Sequence, residues 1–422
     1  MIGVVNMDSS FFEGNRRKLY NAMKDNSAAV LFSGKAPKKL GDENYPFTPL
    51  RNFYYMTGLD RQNMIILMYK KGQVCETTAF IERYDEVKAK WVGAVMLPDE
   101  VRKISGIDNV SYIDEFNEIF ASVMFNKRIE NVYMDFENRD FEIWGDSMPL
   151  AEKIRRNYPY VDFINAHNII AEFRMIKEDC EVEKIEKAID ITKKGIYAMM
   201  KNSRAGMMEY EIEAYFDFEL KRNGVKDFAF KSIAARGING TVLHYSDNNC
   251  KTKEGDLILF DVGAQWEYYN GDITRTFPVN GKFTERQKEI YNIVLEGQKK
   301  VIEAVKPGLE FKRLNEILKE HYACELKKIG LIKNDEEVNR YYFHSVSHML
   351  GLETHDVGRH NEGLLQEGMV FTVEPGLYIS EEEIGIRIED NVIVTKDGCR
   401  VLSKDIIRTA DEIESFMAGN EK

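Results

Sequence analysis

Histidine is scarce in this chain, seven in 422 residues, yet His344, His348 and His355 fall within twelve positions in the segment FHSVSHMLGLETHD. Imidazole titrates near neutrality and is a frequent metal ligand, so clustering of a scarce histidine points to chemistry. At i and i+4 on a helix, His344 and His348 would share a face, an arrangement that suits a metal and suits packing equally. A zincin pattern is excluded, because it needs a glutamate directly after its first histidine and Ser345 stands there. Four carboxylates supply the complement. Asp261 closes the apolar run LILF, where an acid is costly unless paired or metal-bound, and Asp272 follows eleven residues later. The stretch between them contains Gly263 and Asn270-Gly271, so a hairpin is expected to bring the two acids together. Glu374 follows MVFTV and precedes Pro375-Gly376, and Glu389 lies among the β-branched residues of IGIRIEDNVIV. Both read as acids on inward strand faces.

Any one of these acids is also explained as a buried ion-pair partner or a turn cap. As a set with one neutral imidazole they bring a charge of about −4, which two divalent cations would offset. Oxygen-rich donors with a single nitrogen favour harder ions, Mn(II) first, with Co(II), Fe(II) or Zn(II) admissible. Two ions roughly 3.5 to 4 Å apart can aim a water at a carbonyl, so hydrolysis is the expected reaction class.

Strands must carry the acids and helices must cover them. The runs LILFDVGAQWEYYNGDITRTFPV, GMVFTVEPGLYI and IGIRIEDNVIVT read as strands. KEDCEVEKIEKAIDITKKGIYAMMK, from Lys177, has apolar residues at Val182, Ile185, Ile189, Ile196 and Met199 with charges between, which predicts a long surface-packed helix. A second helix, MEYEIEAYFDFELKRNG, closes on Gly224, with Lys221 and Arg222 in its last turn. A third runs from Thr284 to about Val305 and opens on a capping box, Thr284 with Gln287. The first 165 or so residues alternate short β-type runs (AAVLFSG, NMIILMY, ETTAFI) with amphipathic ones, as an α/β domain does. A boundary is expected between residues 165 and 176, giving domains at 1–170 and 171–422. Length agrees with two domains, and there is no short-period repeat.

Composition sets limits. A formal charge of −12 argues against nucleic acid and anionic membrane surfaces, which reward clustered Lys and Arg. No 18-residue apolar stretch and no export signal are found, and five widely spaced cysteines without a CxxC pair fit a reducing compartment, so a cytoplasmic enzyme is expected.

In the order Asp261, Asp272, His348, Glu374 and Glu389, set in FDVGAQWEYYNGDITRTFPVNGKFT, HMLGLETHD, TVEPGLYI and IRIEDN, the chain closely resembles the pita-bread metallopeptidases, and within them aminopeptidase P. GINGTVLHYSDNN resembles the family's first active-site histidine segment, and FEGNRRKLYNAM and RNFYYMTGLD resemble its N-terminal domain, so nearly the whole chain is covered. The resemblance implies an N-terminal mixed α/β domain followed by a pita-bread catalytic domain. It implies that Asp261 binds one ion, His348 and Glu374 the other, and Asp272 and Glu389 bridge them, with Glu374 as general base. His244 and His355 would contact substrate carbonyls and the developing oxyanion, and His344 would line the pocket on the proline side. Tyr378 and Arg387 would form a network around the ligands, and Arg51 and Trp91 resemble N-terminal-domain positions near the site. The stretch after His355, DVGRHNEGLLQEGM, is shorter than in some relatives and leaves Arg359 without an assigned role. His167, His321 and His360 have no counterpart in the family and read as surface or packing residues. The implied reaction is release of an N-terminal residue that precedes proline, by a homodimer or homotetramer. Proline specificity rests on the resemblance alone. The competing readings are a prolidase restricted to Xaa-Pro dipeptides and a non-catalytic pita-bread protein that binds peptides or protein partners.

Overall fold

The computed structural model describes residues 7–93, 95–137, 145–358 and 363–419. It divides into two units, residues 1–174 and 175–422.

In the first unit a six-stranded sheet runs in the spatial order Asn109–Tyr112, Val74–Ile81, Ile65–Lys71, Ser27–Phe32, Asn131–Met134, Asp162–Asn165. The middle strands form an antiparallel meander, and Asn109–Tyr112, Asn131–Met134 and Asp162–Asn165 join in parallel. Apolar side chains of the sheet, among them Val30, Leu67, Phe80 and Val132, close a core against Phe120, Met124 and Ile154 from two covering helices. His167 belongs to this unit. Its Nδ1 lies 3.6 Å from Asp135 and 3.4 Å from Glu137, and Asn52 is within hydrogen-bond distance at 3.1 Å, a local polar cluster. Trp91 is 84% exposed on the short helix Glu86–Val92, and Arg51 starts the helix Arg51–Thr57, donating to Thr48 Oγ1 at 2.9 Å.

The second unit is built from small curved sheets under long helices. Ile233–Arg236, Leu257–Val262 and Ile273–Pro278 form one antiparallel sheet, and Val370–Val373, Asp390–Val394 and Cys399–Val401 another. A ribbon of Gly376–Ile379 with Ile384–Arg387 is paired alongside. The predicted helices form at Asp179–Asn202, Glu209–Arg222 and Glu285–Ala304, the last with the Thr284–Gln287 capping box made in both directions. Their apolar stripes are buried, Val182, Ile185, Ile189, Ile196 and Met199 among them. His321 packs between two helices, buried, with Nε2 2.9 Å from the Ile293 carbonyl, as a structural histidine does.

Two local features differ from expectation. The Asp261–Asp272 connection does turn back as a hairpin, Gln265–Trp266 against Tyr269–Asn270. Its two loop residues are Glu267 (φ 47°) and Tyr268 (φ 70°) rather than any glycine, although a two-residue loop of this hand usually recruits Asn-Gly. The glycines serve approach instead. A Cβ on Gly263 would stand 2.0 Å from the Gly271 carbonyl oxygen, so only glycine lets the two strands cross. The segment 344–348, in turn, is extended and irregular, not helical. It lies along the strand Val370–Val373, with Glu374 N donating to Val346 O (2.9 Å) and Thr372 N to His348 O (3.0 Å). Backbone pairing with that strand has displaced the helical i, i+4 geometry.

Candidate metal centre

Register places the acids. Asp261 sits opposite Thr274 in the antiparallel pair, and Asp272 stands one residue before the second strand begins. Asn391 grips the Asp272 backbone from the other sheet, accepting from its N–H at 3.2 Å and donating to its carbonyl at 2.7 Å. Glu389 is tied to the same place: its N–H donates to Thr274 O at 3.1 Å, and Thr274 Oγ1 donates to its Oε2 at 2.8 Å. Thr372 donates to Glu374 Oε1 at 3.3 Å and accepts from the His348 N–H at 3.1 Å.

His348 is oriented as a ligand would be. Its Nδ1 faces the Met349 carbonyl at 3.1 Å, which draws the ring proton to that nitrogen and leaves Nε2 with a lone pair. Nε2 lies 3.4 Å from both Asp272 Oδ2 and Glu374 Oε1. Ligand atoms of Asp272, His348 and Glu389 all lie within 4.8 Å of one another.

The electrostatics demand cations. Asp272 and Glu389 are 3% and 1% exposed. Burial, reinforced by the charges of Asp261 and Glu374, pushes both carboxyls well above the usual carboxylate range, and burial also raises Glu374. One guanidinium answers four carboxylates: Arg387 Nη2 donates to Asp261 Oδ2 at 2.7 Å. The other oxygen, Asp261 Oδ1, is buried without a hydrogen-bond partner. A buried carboxylate oxygen left so is costly unless an ion satisfies it. The donor set therefore fits divalent metal.

Behind the acids runs a polar chain. Arg387 donates from Nε to Thr274 Oγ1 (3.1 Å) and from Nη1 to Tyr378 OH (3.1 Å). Tyr378 OH in turn meets His344 Nε2 at 2.9 Å, while His344 Nδ1 faces the Ser345 carbonyl at 2.8 Å. The phenol thus donates onward and His344 is held neutral, its pKa lowered to about 3 by burial and by Arg387. His355 stacks edge-on against His348, ring centroids 4.4 Å apart, and is exposed, as is His244, which lies near enough to His344 to bear on its charge. The structure thus gathers the five expected ligands, with His344, Tyr378 and Arg387 beside them and two exposed histidines at the margin. Arg359 and His360 lie outside the described residues.

Sequence reasoning missed Thr274, Thr372 and Asn391. A signal existed: each is two positions from an acid of the centre, in DIT, TVE and EDN, and residues two apart along a strand share a face.

An α/β unit whose sheets converge buried acids and one imidazole on a single point defines a metallohydrolase-type protein. The model of metallopeptidase family M24 matches residues 183–396, and that of the aminopeptidase P N-terminal domain matches residues 12–133. A Haemophilus influenzae Xaa-Pro aminopeptidase is 32% identical over 96% of each chain. A solved Bacillus anthracis chain, itself proposed to be an aminopeptidase P, is 50% identical, with a TM-score of 0.97 over 98% of this chain and 99% of that one. Escherichia coli aminopeptidase P with the inhibitor Pro-Leu is 29% identical, TM-score 0.92, at the same coverage. The chain belongs to metallopeptidase family M24, the pita-bread metallopeptidases, in the aminopeptidase P branch. The two-domain α/β architecture expected from the sequence is the one observed.

Proposed function

We infer that this chain is a metal-dependent aminopeptidase that hydrolyses the N-terminal Xaa-Pro bond of peptides. The observation that carries this reading is the buried convergence of Asp261, Asp272, His348, Glu374 and Glu389, with one carboxylate oxygen left for an ion. Those five residues would hold two divalent ions, for which the oxygen-rich set favours Mn(II). When bound, such ions polarise a water and the scissile carbonyl.

The chain's own residues do the rest. Glu374, the more exposed of the two carboxylates that face His348 Nε2, accepts a proton from the attacking water and returns it to the proline nitrogen as the C–N bond breaks. That transfer matters here because an Xaa-Pro amide nitrogen carries no hydrogen of its own. His244 and His355, both exposed, would donate to the substrate carbonyl and the developing oxyanion. Neutral His344, anchored through Tyr378 to Arg387, forms a fixed wall for the proline ring. Assembly as a dimer or tetramer and residence in the cytoplasm, where the five cysteines stay free of disulfides, belong to the same reading. Among the described residues no helix is long and apolar enough to cross a membrane.

The test is product analysis with Mn(II)-loaded protein on Ala-Pro-Ala and Ala-Pro. Release of alanine from the tripeptide is expected. Cleavage confined to the dipeptide would make the chain a prolidase, and no cleavage of either with bound metal would remove the peptidase reading.

A further inference from the structure

The segment 242–256, which carries His244, contains no regular strand, so something other than sheet pairing must hold that histidine in place. A buried carboxylate contributes much of that hold. Glu209, in the first turn of the helix Glu209–Arg222, is fully buried and satisfies both of its oxygens within residues 236–250. Oε1 accepts from the Arg236 N–H (2.8 Å) and from Asn239 Nδ2 (2.9 Å). Oε2 accepts from Tyr245 OH (2.8 Å) and from the Cys250 N–H (2.8 Å), while the Glu209 N–H donates back to Cys250 O (2.9 Å). These donors bracket His244 on both sides, and one of them is its immediate neighbour. One turn along the same helix, Glu213 accepts from Asn248 Nδ2 at 2.8 Å, so the loop is clasped twice by one helix face.

We propose that Glu209 is a positioning residue for His244, fixing the loop so that the exposed imidazole meets the substrate. This rests on the reading of His244 as a substrate-contacting donor. A carboxylate is required because four donors converge on it. An amide has one acceptor oxygen and would turn an N–H₂ toward the Tyr245 and Cys250 donors.

A double-mutant cycle separates positioning from general support. Glu209→Gln is expected to lower kcat/KM about tenfold or more in the native background, but less than about threefold when His244→Ala is already present. Metal content should be unchanged, since no ligand is touched. Equal losses in both backgrounds, or no loss in the native one, would overturn the proposal. Should His244→Ala alone leave kcat/KM intact, it is the role of His244 that fails, which the single variant reveals separately. Because Glu209→Gln could prevent folding, Tyr245→Phe provides the second cycle: it deletes one donor and leaves the carboxylate. A loss of about threefold or more, abolished in the His244→Ala background, is expected. The same loss in both backgrounds counts against the proposal.

Discussion

Arg387 makes the sharpest prediction, because its effect should depend on whether metal is bound. Arg387→Ala deletes three donors at once, to Asp261 at 2.7 Å, to Tyr378 at 3.1 Å and to Thr274 at 3.1 Å. The pair with Asp261 is nearly dry, with side chains 4% and 14% exposed. For charge centres about 4 Å apart at an effective dielectric near 20, the attraction is roughly 4 kcal/mol. Breaking a buried pair by removing one partner costs about 3–5 kcal/mol, since the survivor is left uncompensated. In the metal-free protein that full cost should appear. In the loaded protein Asp261 would be offset by the ions, and what remains is the loss of the guanidinium's hydrogen bonds to the Tyr378 and Thr274 hydroxyls, so the cost should fall by most of the ion-pair contribution. Denaturant midpoints of native and variant protein, each with chelator and with saturating Mn(II), give the four values needed. Metal should still bind, because the cluster becomes more anionic. Equal destabilisation in both states, or less than about 1 kcal/mol without metal, would refute the account of Asp261 as a carboxylate shared between guanidinium and ion.

Other outcomes follow from the same geometry. Asp272→Ala should abolish both peptidase activity and metal retention in elemental analysis, as it removes a buried acid whose Oδ2 faces His348 at 3.4 Å, and full activity would overturn the ligand set. Gly263→Ala drives a Cβ toward a backbone carbonyl 2.0 Å away that cannot rotate aside, so it should cost about 1–3 kcal/mol or more and weaken metal retention by parting the two acidic strands; an unchanged melting temperature would contradict this. Glu181, fully buried against Tyr269, has its pKa raised by burial from 4.5 to about 7. The folded state therefore holds that proton more tightly than the unfolded chain, and the stabilisation present below pH 4.5 is lost as pH rises through about 7. Relative to Glu181→Gln, which stays neutral, the native protein should lose up to roughly 3 kcal/mol between pH 5 and 8, and parallel stability profiles would dismiss the effect.

The sequence by itself determined the chemistry available and the elements to carry it. Acids at the ends of apolar runs, the capping box at Thr284 and the 3.6-residue stripe after Lys177 are local signals, and local propensity reports them faithfully. What it could not fix was which distant groups meet. Arg387 reaches Asp261 across 126 positions, and Asn391 clamps Asp272 across 119, contacts set by how two sheets pack and not by any period in the chain. The same packing overrode local preference twice. It turned the hairpin at Glu267–Tyr268, where no glycine eases the positive φ, and it laid His344 and His348 along a strand where their spacing alone allowed a helix. Glu209 was read from the sequence only as part of the helix that closes on Gly224. Its role emerged because the fold closes the 236–250 segment over its carboxylate and leaves that carboxylate no water to bind instead.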